Sequence, residues 1–462
     1  MISRVEVEVK ESRSGLGAQY VSGIHGKIGV SPVESKGLIL VKNTMDTDQI
    51  KELLGDSPLA DACIDSLDGG AQTIYCMPVP ASSGGDVSEV VHSGTGKGTV
   101  AVSGKSNNSC DVVIQIVTGG TTNSGTFKAS LDGGASYGAE ETIPLSGSCE
   151  VGTSGLALTF ADDGGGFEAG DTYSFHVTAP AADNEAILAA VESVYKSHAD
   201  MEFLHVVGTT GAALWAALEA KAQEKENSAG RPLIFVCEQR AAAADEDAAG
   251  YVEAIKDDLK GAGRHVVVVP VWAKLKRMDG RIQEVNAAGY ICGLIAQAKE
   301  STSIAYVRDF PISEDKILKV FPEGIEEFFE ELDKARYTTL RRYPGKDAWY
   351  VAAANTCVEA DSDFAEIENA RVMYRLVREV YKRAVEWQNA DFDAENIETE
   401  AAKVQADINI PVDAALDDQI ISSGEAVILD PESLLTDEKI AVRVSYEPRA
   451  YARVISLTFM AG

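Results

Sequence analysis

Alternation opens the chain. Ile2, Val5, Val7 and Val9 are apolar while Arg4, Glu6, Glu8 and Lys10 are charged, a strand pattern that Ser12-Arg13-Ser14-Gly15-Leu16-Gly17 cuts off. Such a strand either pairs within its own domain or reaches to another chain, and the pattern alone leaves both open. From Gly26 to Met77 the periodicity is α/β, with strands at 28–30, 38–41 and 73–77 and short helices at 46–54 and 58–67.

The pattern then changes. Residues 91–180 hold 17 of the chain's 41 glycines, three lysines and no arginine, with short alternating runs such as 112–117 and 156–160 between Gly-rich turns. That predicts a small all-β domain inserted into an α/β frame that resumes behind it. From 183 to about 310 helix and strand alternate, with helices at 187–195, 212–223, 251–259 and 283–298 and strands at 203–207, 232–237 and 266–269. Val266-Val267-Val268-Val269 lacks alternation, as a strand covered on both faces would, so a largely parallel sheet with flanking helices is expected. After 338 the order becomes two extended segments (337–342 and 349–353), a long helix opened by an Asp363/Glu366 capping box and running to 389, a shorter helix at 412–422, and strands at 440–446 and 451–460. The last strand puts Tyr451, Arg453, Ile455, Leu457 and Phe459 on one face.

The expected fold is therefore α/β with a mixed sheet (21–90 and 181–337), an inserted β domain (91–180) and a C-terminal α+β domain (338–462), preceded by an extended arm (1–20). Composition adds that 72 Asp and Glu oppose 41 Lys and Arg, a net charge of −31. Such a surface repels phosphate backbones and anionic lipid, so neither nucleic acid nor membrane is an expected partner. The N-terminus lacks the apolar run of a signal peptide, and seven cysteines without a CxxC pair point to free thiols in a reducing compartment.

Catalytic patterns fail one by one. Ser93-Gly94-Thr95-Gly96-Lys97-Gly98-Thr99 lacks phosphate-loop spacing and lies in the β insert. Asp361-Ser362-Asp363 lacks the Gly and Glu of a calcium loop. The six histidines show no metal-ligand spacing, no GxSxG elbow falls in the α/β units, and there is no GxGxxG. No catalytic residue, cofactor or metal is expected. One charge feature stands out: Arg371, Arg375, Arg378 and Lys382, at i, i+4, i+7 and i+11, form one stripe on a helix. Like charges so placed cost a few tenths of a kcal/mol. The stripe thus meets either an acidic partner or acids of its own subunit, and spacing does not choose.

The order of elements resembles tail sheath proteins of contractile phages, tailocins and related injection systems. The likeness is carried by Gly23-Ile24-His25-Gly26-Lys27-Ile28-Gly29-Val30-Ser31, by Lys36-Gly37-Leu38-Ile39-Leu40-Val41, by residues 46–61 and by Leu67-Asp68-Gly69-Gly70-Ala71-Gln72-Thr73-Ile74-Tyr75. In the insert it rests on Ser130-Leu131-Asp132-Gly133-Gly134 and residues 167–175, and in the last third on the helix near Arg371 and two closing strands. The resemblance implies a non-enzymatic subunit that polymerises into a helical contractile sheath around an inner tube, in a virion tail or tailocin particle assembled in a bacterial cytoplasm. It also implies partners: further copies of the chain in stacked rings, the tube protein, a baseplate and a tail terminator. Val5, Val7 and Val9 at one end and Ile455, Leu457 and Phe459 at the other would be strands exchanged between subunits. The stripe Arg371, Arg375, Arg378 and Lys382 would face the tube. An α/β enzyme with a β-sandwich accessory domain and a surface adhesin or layer protein are the alternatives.

Overall fold

The computed structural model describes residues 23–460 apart from 36, 153, 163, 198, 454, 457 and 459. The arm carrying Val5, Val7 and Val9, together with Leu457 and Phe459, thus lies outside the described residues.

The first unit runs β1 (His25–Val30), β2 (Ile39–Lys42), α1 (Thr47–Leu54), α2 (Pro58–Asp68) and β3 (Thr73–Val79). Asp46 caps α1 in a capping box with Gln49, and Ser57 caps α2 with Pro58 at its first turn. After the insert come α3 (Asn184–Lys196), β4 (Phe203–Thr209), α4 (Ala212–Ala229), β5 (Ile234–Glu238), α5 (Ala248–Ile255) and β6 (Val266–Val269). These strands make one sheet in the order β6-β5-β4-β1-β3-β2, parallel except for the edge strand β2. β1, β5 and β6 are buried at every residue, because helices cover both faces.

The insert folds as two small sheets around its own core of Val112, Ile114, Phe127, Leu158, Phe160 and Tyr173. Its ends run side by side, with Ser82 N donating to Ala181 O at 2.8 Å. A buried charge cluster ties it down. Behind β6 follow a hairpin, β7 (Trp272–Lys276) and β8 (Ile282–Asn286), then α6 (Ala288–Gln297) and β9 (Ile317–Phe321), which pairs with β7. Arg277, beyond β7, holds Asp65 through two bonds (2.9 and 2.8 Å) and Asp61 through one (2.8 Å), while Arg281 takes Asp61 at 2.7 Å. Asn108 of the insert donates to the same Asp61 at 2.7 Å. Burial alone would raise the Asp61 carboxyl, but the two guanidiniums outweigh it and hold it at about 2.

Two local expectations are corrected. Residues 283–286, expected at the start of a helix, belong to the strand β8, which pairs antiparallel with β7. The long helix begins at Ile367 with Glu366 at its N-cap, so Asp363 is not the residue that opens it.

α2 and α6 meet closely enough that glycine is obligatory. A Cβ at Gly293 would sit 2.3 Å from the Ser66 carbonyl oxygen and 2.6 Å from Gly69 Cα, backbone atoms that cannot step aside. Gly293→Val is therefore expected to lower stability by about 1–3 kcal/mol or more, read as a reduced midpoint in denaturant.

Candidate assembly interface

The chain's last hundred residues build a second packing unit. α7 (Ile367–Glu386) and α8 (Ile397–Asp417) lie side by side beneath a hairpin of β10 (Ser423–Ile428) and β11 (Val442–Glu447). α8 buries Ile397, Ala401, Val404, Ile408, Val412 and Ala415, a stripe spaced by three and four. These pack with Val372 and Leu376 of α7 and Ala426 and Ile428 of β10, while Val442, Val444 and Tyr446 close over them from β11. The helix expected only over 412–422 thus starts fifteen residues earlier. Pro411 sits inside α8 and removes only the N–H that would serve the Asp407 carbonyl.

A two-stranded sheet is marginal alone and has two edges. Here the edges differ. On the outer side of β10, Asn409 accepts from Ala426 N and donates to Ala426 O, both at 2.8 Å, and Gln405 accepts from Ile428 N at 3.0 Å. Because Ala426 spends its backbone groups on Asn409, Ala426 and Val444 are a pair without mutual bonds, and the N–H and C=O of Val442, Val444 and Tyr446 point away from β10. Among the described residues no strand pairs along that side of β11. Beyond it the chain returns to the body: Tyr451 Oη donates to Ser301 O at 2.8 Å, and Arg453 lies 3.3 Å from both Glu366 and Glu368. Ile455, expected in a strand, lies in none and is 75% exposed.

The cationic stripe of α7 turns mostly inward. Arg371 is 1% exposed and pairs with Glu202 through Nε and Nη2, the latter at 3.2 Å. Arg375 lies 3.8 Å from the buried Glu300, and Arg378 is buried. Arg375 keeps a little exposure, and Lys382 is half exposed, bound to Asp200 and Glu379 at 2.8 Å each. As a tube-facing surface the stripe is therefore corrected for Arg371, whose charge is consumed by an acid of its own subunit. Tyr374, between them, stacks on His265 at 4.9 Å. His265 in turn bridges Glu219 and Glu226, each at 2.9 Å. α7 is thus docked on the α/β body through buried charge. Glu202, Glu300 and Glu219 stand far away in sequence, and no spacing rule connects them to α7.

A second polar constellation escaped sequence reading. Across the centre of the main sheet, Lys27 Nζ donates to His205 Nδ1 at 2.7 Å, and His205 Nε2 then donates to Glu238 Oε1 at 3.0 Å. Burial raises the Glu238 carboxyl to about 7, and burial together with Lys27 lowers the His205 imidazole well below its usual value. The three residues are 0%, 0% and 7% exposed, so they form a sealed string inside the sheet and offer no open reactive group.

Comparison with known proteins gives the context. Family models described as the DUF2586 N-terminal and C-terminal domains match residues 2–355 and 363–461. No curated protein matches the chain in sequence. Among solved structures it is similar to a sheath tail protein from Listeria innocua, at 12% identity over 95% of this chain and 94% of that one, with a TM-score of 0.51. It is also similar to the sheath of an extracellular contractile injection system, PVC, in its contracted state (12% identity, 100% and 98% covered, TM-score 0.54). A third similar chain comes from the baseplate of the anti-feeding prophage (10% identity, 100% of both chains, TM-score 0.53). At these identities the likeness is one of fold, and it extends over essentially the whole chain.

Two outcomes follow from the buried charges. Arg371→Ala strands Glu202 in the interior and is expected to cost about 3–5 kcal/mol, whereas Lys382→Ala, at an exposed pair, costs about 1 kcal/mol or less; denaturant titration separates them. Glu238 binds its proton more tightly folded than unfolded, so its contribution is complete below about pH 4.5 and declines as pH rises through about 7. Thermal midpoints across that window should fall less in Glu238→Gln than in the parent chain.

Proposed function

We propose that this chain, which belongs to the DUF2586 family, is a sheath subunit that polymerises into a helical array around an inner tube and contracts by rearrangement of its subunits. The observation that carries the reading is the outer edge of β11, along which no described strand pairs, within a fold shared end to end with sheath subunits. A bare strand edge is a template for another chain, and natural monomers blunt such edges. A strand donated by a neighbour would complete the ladder, and the same head-to-tail contact repeated without closure generates a helix of subunits. The donors are the terminal segments bearing Val5, Val7 and Val9 and Ile455, Leu457 and Phe459. The partners are then further copies of the chain, the tube protein, a baseplate and a terminator, in a tail or tailocin-like particle.

An enzymatic reading has less support. The polar string Lys27–His205–Glu238 is sealed, and among the described residues no group of three or more His, Cys, Asp or Glu side chains could hold a metal. Contraction needs no nucleotide step if the array is laid down in a metastable packing. The net charge of −31 keeps free subunits apart until a template gathers them.

The test is electron microscopy of the purified chain and of a chain lacking residues 1–10. The intact chain is expected to form hollow helical tubes, and the truncated one to stay folded by circular dichroism without forming any. Compact monodisperse particles of the intact chain at high concentration would count against the sheath.

A further inference from the structure

Two thiols meet in the interior of the α/β body, where neither the clamp on Asp61 nor the seat of α7 uses them. We propose that Cys63 and Cys76 are an oxidation site, at which hydrogen peroxide joins the two thiols into a disulfide that ties α2 to β3, whatever array the chain builds.

Sheet register sets the geometry. Lys27 of β1 is the Cα partner of Cys76 on β3 and of His205 on β4, so the three side chains stand in a row on one face of the sheet. α2 packs across these strands and brings Cys63 down onto Cys76, with their sulfurs 3.2 Å apart. Both residues are fully buried. A disulfide holds its sulfurs at about 2.05 Å, so closure asks for roughly 1 Å of approach, within the range of small side-chain rotations. The two cysteines lie 13 positions apart, joined through the turn at Gly69-Gly70.

The nucleophile is a thiolate. Burial pushes the Cys76 thiol well up and Cys63 beside it adds to this, while the Lys27 ammonium pulls the other way. Hydrogen peroxide is neutral and little larger than water, so brief opening of α2 from the sheet is enough to admit it. In the first step one sulfur attacks a peroxide oxygen. The S–O bond forms, the O–O bond breaks, and the departing hydroxide takes up the thiol's proton as water. In the second step the other sulfur attacks the sulfenic sulfur, the S–S bond forms, the S–O bond breaks, and the hydroxide leaves with the remaining proton as a second water. Two thiols and one peroxide thus give one disulfide and two waters, the sulfurs losing the two electrons that the peroxide oxygens gain. With the second sulfur already 3.2 Å away, the sulfenic acid is captured before another peroxide arrives.

The tie falls on a helix that other parts lean on. α2 carries Asp61 and Asp65, which hold Arg277, Arg281 and Asn108 of the insert. Its Ser66, and Gly69 just beyond it, receive α6 at Gly293. A covalent link to β3 closes a loop in the unfolded chain and so raises the free energy of the unfolded state. The oxidised chain is then harder to unfold than the reduced one, with the anchor of the insert fixed to the sheet.

The experiment uses the full-length chain carrying Cys149→Ser, because Cys149 is the cysteine that is not fully buried and would otherwise join copies. Reduced protein is treated with hydrogen peroxide, denatured, capped with an alkylating agent and digested for mass spectrometry. A linked Cys63–Cys76 peptide, two hydrogens lighter than its reduced parts, is expected to form at least about tenfold faster than sulfinic acid appears at the buried Cys237 or Cys292. The oxidised chain is expected to unfold at a higher denaturant concentration and to lose that gain on reduction with dithiothreitol. Cys63→Ser and Cys76→Ser chains, treated alike, are expected to show no such gain. Full capping of both Cys63 and Cys76 after peroxide treatment would overturn the oxidation site, as would sulfinic acids at the two positions without a link. A linked peptide with no rise in the unfolding midpoint would overturn the tie between α2 and β3.

Discussion

Everything the C-terminal unit does depends on how α7 is held, and it is held by buried charge. Arg371 is sealed against Glu202, Arg375 faces the buried Glu300, and Tyr374 covers an imidazole clasped by two glutamates. An apolar interface tolerates small slides, because one methyl contact replaces another. A buried guanidinium does not, since any displacement leaves two desolvated ions short of partners. The helix therefore has one seat on the α/β body, and the hairpin that packs on α7 and α8 inherits that orientation. A free edge is useful for assembly only if it points the same way in every copy.

The same device recurs at the other end of the body. Arg277 and Arg281, clamped on Asp61 and Asp65, join α2, the β7/β8 hairpin and Asn108 of the inserted domain in one buried cluster. On a chain with 31 more acids than bases, Arg277, Arg281, Arg371 and Arg375 are matched by the buried acids Asp61, Asp65, Glu202 and Glu300, so the excess of acid stays at the surface. Long-range repulsion between free subunits, short-range complementarity at a strand edge and rigid seats for the parts that meet are the physical ingredients of assembly that waits for a template.

What was readable in the sequence follows from how local each signal is. The unalternated valines of β6, the capping residues Asp46 and Ser57 and the Gly-rich turns of the insert act within a few residues, and each announces its element. The strand β8 was hidden because Ile282, Val285 and Asn286 fit a helix start as well as a hairpin, and its partner β7 decides the matter. α8 runs through Pro411, whose lost bond the packing of six apolar side chains outweighs, so its first fifteen residues went unread. The stripe on α7 was visible as a stripe, but what it faces comes from Glu202, 169 residues distant from Arg371. Likewise, nothing in the run around Gln405 and Asn409 marks them as partners of β10, because Ala426 and Ile428, whose backbone they bind, lie in a later hairpin.

The central claim is that this chain builds its array by lending a strand to a neighbour's C-terminal sheet. Helical reconstruction of the assembled protein at side-chain resolution tests it most directly. The account predicts a strand from another copy against the outer edge of β11, with Asn409 and Gln405 still on β10. Particles in which that edge stays bare, or is filled by the subunit's own terminal segment, would contradict it.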